Sequence, residues 1–163
     1  MSLLGLAIAA CGVVACGSAP IPGTQGDPGA PIVVRGTVAG ADGAPFAGAG
    51  LQLSVLDHAN AQLNQPVPTV YQEQFAAGID GTFAIHLAPS PALTAFAAKN
   101  GGWVNFNLLA FSPDSSLIFP TVFPRELAGP AWAGSPPVAH ITPDGVTFEG
   151  EDEAVPVPIP ATN

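Results

Sequence analysis

Glycine and proline interrupt this chain so often that little room is left for a long helix. Nineteen of each are spread through 163 residues, and either one weakens or breaks a helix interior. Between them lie short runs in which apolar and polar residues alternate, the period of a half-buried strand. Ile32-Val33-Val34-Arg35-Gly36-Thr37-Val38 puts Ile32, Val34 and Val38 on one face and Arg35 and Thr37 on the other. Leu51 to Val55 and Thr82 to Leu87 alternate as cleanly, the latter with Phe83, Ile85 and Leu87 facing in. Val70 to Phe75 alternates more weakly, and Leu93 to Ala98 reads as a small-residue strand. Trp103 to Phe111 is the longest run, with Val104, Phe106, Leu108 and Ala110 on one side and Trp103, Asn105 and Asn107 on the other. Leu117 to Phe123 and Val146 to Phe148 complete the set. Short strands spaced in this way predict an all-β fold, a single antiparallel β-sandwich of about seven to eight strands.

The punctuation supports that reading. Asp42-Gly43, Asp80-Gly81 and Asp144-Gly145 each precede a phenylalanine by a few residues, and Asp-Gly is the hairpin signal for turns with positive φ. Their flanks do not match, so they are turns rather than repeats, and Asp-x-Asp-Gly calcium-loop spacing is absent. The stretch 112–137 carries prolines at 113, 120, 124, 130, 136 and 137. Proline cannot donate to a sheet ladder, so this segment is expected to run over the sandwich as a long excursion. Residues 150–163 read as an acidic and proline-rich tail after a sandwich domain spanning 32–149.

Charge excludes whole classes of partner. Three Lys and Arg stand against twelve Asp and Glu, a formal net charge of −9. Nucleic acid is excluded because phosphate contacts need many cations. The two cysteines, Cys11 and Cys16, lie close together near the start, so no disulfide framework holds the body.

Leu3 to Ala15 has no charge and is too short to span a bilayer, where roughly 20 apolar residues are needed. Its length suits the apolar region of a secretory signal. The run ends in Val13-Val14-Ala15-Cys16-Gly17-Ser18, which resembles the lipobox of bacterial lipoprotein signals. That resemblance implies cleavage before Cys16, a signal peptide over 1–15, and lipid on Cys16 holding the chain on the outer side of the cell membrane. Cys11 is the rival lipidation site. The Gly/Pro segment 16–31 would then serve as a flexible tether. Such signals open with positive charge, and none precedes Leu3; an upstream start is therefore expected.

Two further stretches carry a second resemblance. Val34-Arg35-Gly36-Thr37-Val38 leads to Asp42-Gly43-Ala44-Pro45, Gly48-Ala49 and Leu51-Gln52-Leu53; Gly78-Ile79-Asp80-Gly81-Thr82-Phe83 follows. Together they resemble the carboxypeptidase regulatory-like, prealbumin- or Ig-like β-sandwich domains of secreted bacterial proteins, over Ile32 to Ala98. The resemblance implies an accessory, spacer or adhesion role. The C-terminal Tyr-Arg-Gly-Ser of the hydrolase branch is missing.

Candidate chemistry is sparse. No G-x-S-x-G occurs, and His58, His86 and His140 have neither H-E-x-x-H nor paired ligand spacing. Glu149, Glu151, Asp152 and Glu153 offer oxygen ligands of the kind calcium takes, but clustered acids on a tail read first as a solvated patch. No catalytic residue, metal site or cofactor is expected, and the chain reads as not an enzyme. Its first expected role is a non-catalytic envelope module, structural or bound to an envelope protein. The alternative is a carbohydrate- or cell-wall-binding module. Trp103, Trp132 and Tyr71 can stack on sugar rings, and Asn105 and Asn107 share the face of Trp103. Trp side chains are usually well buried, so a Trp103 that is a strand-end core residue, or is covered by the proline-rich excursion, is the first expectation. Phe111, Phe119, Phe123 and Trp132 form a second aromatic region, expected to pack on the sandwich.

Overall fold

The computed structural model describes residues 24–111 and 117–149. Two five-stranded sheets form a β-sandwich, so the fold is all-β as expected. In chain order the elements are β1 (Thr24–Gly26), β2 (Ile32–Val38), β3 (Gly50–Leu56), β4 (Thr69–Ala76), β5 (Thr82–His86), α1 (Pro91–Lys99), β6 (Trp103–Phe111), β7 (Leu117–Ala128), β8 (Ala131–Trp132), β9 (Val138–Thr142) and β10 (Gly145–Phe148). One sheet has the order β1-β5-β2-β9-β10 and the other β4-β3-β6-β7-β8. Pairing is antiparallel except for β1 with β5 and β2 with β9, which run parallel.

The alternating runs fill the space between the sheets. From β6, Val104, Phe106, Leu108 and Ala110 are buried, facing Leu51, Leu53 and Val55 of β3 along the same layer. Phe83, Ile85, Ala139 and Ile141 close the core from the other sheet. Phe106 stacks on Phe123 at 5.6 Å between centroids and takes the edge of Trp132 at 5.4 Å. Each large apolar side chain buried in this way contributes roughly 1.5–3 kcal/mol. Gly36 shows why one strand position tolerates no side chain: a Cβ there would overlap the Ala139 carbonyl of the parallel neighbour β9.

Four features differ from the sequence expectations. Residues 91–99 form a helix rather than a strand. Ser90 caps it by accepting from the Leu93 N–H at 3.2 Å, Pro91 occupies its first turn, and Gly101 and Gly102 at positive φ end it. Those start and stop signals outweigh a weak alternation. Much of the supposed excursion is the twelve-residue strand β7, paired with β6 from Trp103–Glu126 to Phe111–Leu117. The Glu126 carbonyl accepts from the Ala133 N–H on the side away from β6. Residues of the same parity, Pro120 and Pro124 included, therefore turn their backbone outward. Their missing donors fall on a free edge and cost no ladder bond.

The other two differences lie at the start and in the turns. Chain order extends back into the supposed tether, since Thr24–Gly26 pairs with Ala84–His86 and Ala30 is buried, its carbonyl 2.7 Å from His86 Nδ1. Residues 16–23 lie outside the described set, as do Cys16, Cys11 and 150–163. The Asp-Gly turns place positive φ on the glycine alone. Asp42 and Asp80 instead accept hydrogen bonds from the amides of Ala44 and Thr82, each at 3.0 Å. These are Asx turns, and the Asp80 turn carries the chain from β4 in one sheet to β5 in the other.

Candidate functional site

The outer face of the second sheet holds the most distinctive surface. Because core-facing residues of β6 are even-numbered, Trp103, Asn105 and Asn107 point away from the core. Trp103 is 47% exposed. The segment expected to cover it lies alongside it as β7, so the face stays open.

A groove of about 390 Å³ runs over this face. Its floor is the Trp103, Asn105 and Asn107 row. One wall is the end of β3 and the following 3-10 turn, with Leu56, Asp57 and His58; the opposite wall is Val122 of β7. The C-terminal end of α1 closes one end with Phe96 and Asn100. Asn100, at the helix end, donates from Nδ2 to the Phe96 carbonyl at 2.8 Å, and its Oδ1 has no hydrogen-bond partner among the described residues. Asn107 Nδ2 makes only a long contact, 3.5 Å, to the Ser54 carbonyl. Asn105 is exposed, and its carboxamide has no hydrogen-bond partner among the described residues.

Electrostatically the described lining of the groove carries one formal charge, and it is negative. No Lys or Arg lines it. Asp57 is its one acid among the described residues, and its carboxylate oxygens accept from Asn60, Oδ1 from the backbone N–H at 3.3 Å and Oδ2 from Nδ2 at 2.6 Å. What remains is an aromatic face, apolar walls and carboxamides that each donate and accept.

Two of the aromatic candidates are elsewhere. Trp132 is buried, and its indole N–H donates to the Leu87 carbonyl at 2.7 Å, so it belongs to the core. Tyr71 is half-buried on β4, and its hydroxyl donates to Glu73 Oε2 at 2.7 Å. Its partner across the strands is core-facing Val55, which places it on the opposite face from Trp103. Burial first, and the Glu73 carboxylate second, hold the Tyr71 phenol well above its ordinary value. Asn100, Asp57, His58 and Val122 were not assembled by sequence reasoning. Recognising α1 would have found Asn100, because a helix ending at Asn100-Gly101-Gly102 sets that side chain beside Trp103.

Among the described residues, the remaining polar groups form no second centre. His140 Nδ1 lies 3.1 Å from Thr37 Oγ1, and Nε2 lies 3.6 Å from Glu149 on an open surface. Among the described residues, no three His, Cys, Asp or Glu gather as metal ligands; Glu151, Asp152 and Glu153 lie outside that set. Arg125 is buried with its guanidinium donating to the Ser135 carbonyl at 2.6 Å and the Gly134 carbonyl at 3.4 Å, and burial lowers its pKa. Among the described residues, no helix is long and apolar enough to cross a membrane.

No protein-family model matches the sequence, and no curated protein matches it. Solved structures do. A mercury-inhibited catechol 1,2-dioxygenase from Acinetobacter sp. ADP1 is 14% identical, with a TM-score of 0.32 over 72% of this chain and 47% of that one. A 3-chlorocatechol 1,2-dioxygenase from Rhodococcus opacus 1CP is 13% identical, with a TM-score of 0.32 over 74% of this chain and 60% of that one. This chain thus spans between about half and three-fifths of the proteins it resembles. Both are enzymes, and the expectation that this chain is not an enzyme is corrected on that finding. At such identity and TM-score, no reaction, substrate or site of theirs carries over.

Proposed function

We propose that this chain is an exported cell-envelope module, anchored by lipid on Cys16, that binds cell-wall carbohydrate through the Trp103 groove. The observation that carries the binding part is the open Trp103, Asn105 and Asn107 row, with Trp103 47% exposed at its end. An aromatic ring offers a flat face with a negative quadrupole, suited to the C–H face of a pyranose. Carboxamides beside it satisfy sugar hydroxyls in both directions. A protein-docking surface around Phe123 and Trp132 is disfavoured because both are buried. The anchoring part rests on the apolar run Leu3 to Ala15 followed by Cys16 and a Gly/Pro segment, and on the carboxypeptidase regulatory-like pattern of secreted bacterial proteins.

The experiment is co-sedimentation of the full chain with insoluble peptidoglycan and common insoluble polysaccharides, with Trp103→Ala beside it. Retention that the alanine variant loses is the expected result. Absence of retention on every matrix, or equal retention of the variant, would refute the groove as a glycan site.

A further inference from the structure

The groove's chemistry narrows the sugar it takes. We infer that its ligand is an N-acetylated hexosamine, a sugar ring bearing an acetamido group; this inference rests on the glycan-binding reading above. Three observations carry it. First, the site offers little to an anionic sugar: no Lys or Arg lines it, and Asp57 contributes a carboxylate. An anionic sugar would meet that carboxylate with no Lys or Arg to offset it. Second, the polar groups left over are amides. Asn105 has no partner among the described residues, Asn107 is held only by a long contact, and Asn100 keeps its Oδ1. A carboxamide pairs naturally with another amide, accepting from its N–H and donating to its C=O. Third, apolar side chains stand beside these amides. Leu56, Phe96 and Val122 line the same groove, and Val122 is 42% exposed. An acetyl methyl needs such a surface, whereas a plain hydroxyl does not.

The combination of a stacking ring, paired amides and a methyl-sized apolar wall fits an acetamido sugar better than a neutral hexose. The groove's volume lies at the low end of ligand clefts, roughly 300–1,000 Å³, which suits a short stretch of glycan. A hexose presents a hydroxyl where the acetamido group would sit, and leaves an amide pair unmade. A lost hydrogen bond with its desolvation costs about 1–2 kcal/mol, equivalent to about tenfold in affinity.

Fluorescence separates the claims, because Trp103 is exposed and Trp132 is not. The full chain is titrated with an N-acetylglucosamine oligosaccharide, with the equivalent glucose oligosaccharide, and with a short N-acetylated alanine peptide. Expected is a change in Trp103 emission with affinity for the acetamido sugar about tenfold above that for the glucose chain, and no binding of the peptide. Asn105→Ala should remove most of that gap. Equal or tighter binding of the glucose oligosaccharide would overturn the acetamido inference and leave the glycan reading standing. Peptide binding as strong as the sugar's would overturn it in favour of amide recognition alone. No response to either sugar would overturn both.

Discussion

At the scale of single residues, the two tryptophans have opposite jobs, and their variants should separate them. Trp103 projects from an outer face, so Trp103→Ala should leave the unfolding midpoint in urea nearly unchanged while it abolishes ligand binding. Trp132 fills the core against Phe106 and hydrogen-bonds Leu87. Its replacement by alanine should cost about 3–5 kcal/mol in the same urea titration. A large loss from Trp103→Ala would mean that it, too, is structural. Sequence alone could not distinguish the pair. Trp103 sits in a long alternating run whose parity assigns it outward. Trp132 sits among prolines and small residues with no period to read.

Tyr71 gives a pH prediction at the same scale. Its phenol is held above the ordinary value near 10 by burial and by Glu73. Below pH 10 both folded and unfolded chains keep it protonated, and its contribution to stability is fully present. As pH rises past 10 the unfolded chain ionises first, so stability falls. Tyr71 is the chain's single tyrosine, which makes phenolate absorbance a direct readout. Phenolate should appear only well above pH 10, and Tyr71→Phe should flatten the alkaline loss of stability relative to the parent. Ionisation near pH 10 without unfolding would contradict this.

At the scale of elements, α1 and β7 show where local signals compete. The run Leu93 to Ala98 has a strand-like texture only if its flanks are ignored. Ser90-Pro91 before it and Asn100-Gly101-Gly102 after it are helix boundaries, and the buried Leu93 and Ala97 lie four apart on one helical face. Ser90→Ala should therefore cost about 1 kcal/mol, read as a lower urea midpoint; no change would mean that packing alone holds the helix. In β7 the spacing of Pro120 and Pro124 was the legible clue. Prolines four apart in a strand present the same edge, so they can protect an edge strand rather than forbid it. Replacing both with threonine should preserve the fold but open an edge for pairing between chains, visible as increased light scattering. An unchanged monomer would show that the prolines have no such role. Strands β3, β5 and β6 were legible because one face of each meets the core. The short strands β1, β8 and β9 were not: β1 and β9 each pair with a strand distant in sequence, and β8 is two residues against the end of β7.

At the scale of the whole molecule, two alternating sheets account for a core without disulfides. The sandwich was legible from strand number and turns. Its two parallel pairings were not, because β2 meets β9 across about a hundred intervening residues and no local signal records that contact. The groove was half legible: parity gave its floor, while its walls come from a 3-10 turn, a helix end and a neighbouring strand that only the fold brings together. Anchoring is a separate prediction at this scale. Metabolic labelling with a clickable fatty acid should tag the chain and the Cys11→Ser variant, and leave Cys16→Ser unlabelled and released from membranes. Label persisting on Cys16→Ser would move the anchor to Cys11, and a parent chain that takes no label would remove it.

The central claim is that the open face of β6 is the ligand-binding surface. Its most direct test is NMR of the labelled full chain during titration with soluble peptidoglycan fragments, following the side-chain N–H signals of both tryptophans and the asparagines. Trp103, Asn100, Asn105 and Asn107 are expected to shift together while the buried Trp132 indole stays in place. Shifts confined to another surface, or none at saturating ligand, would contradict it.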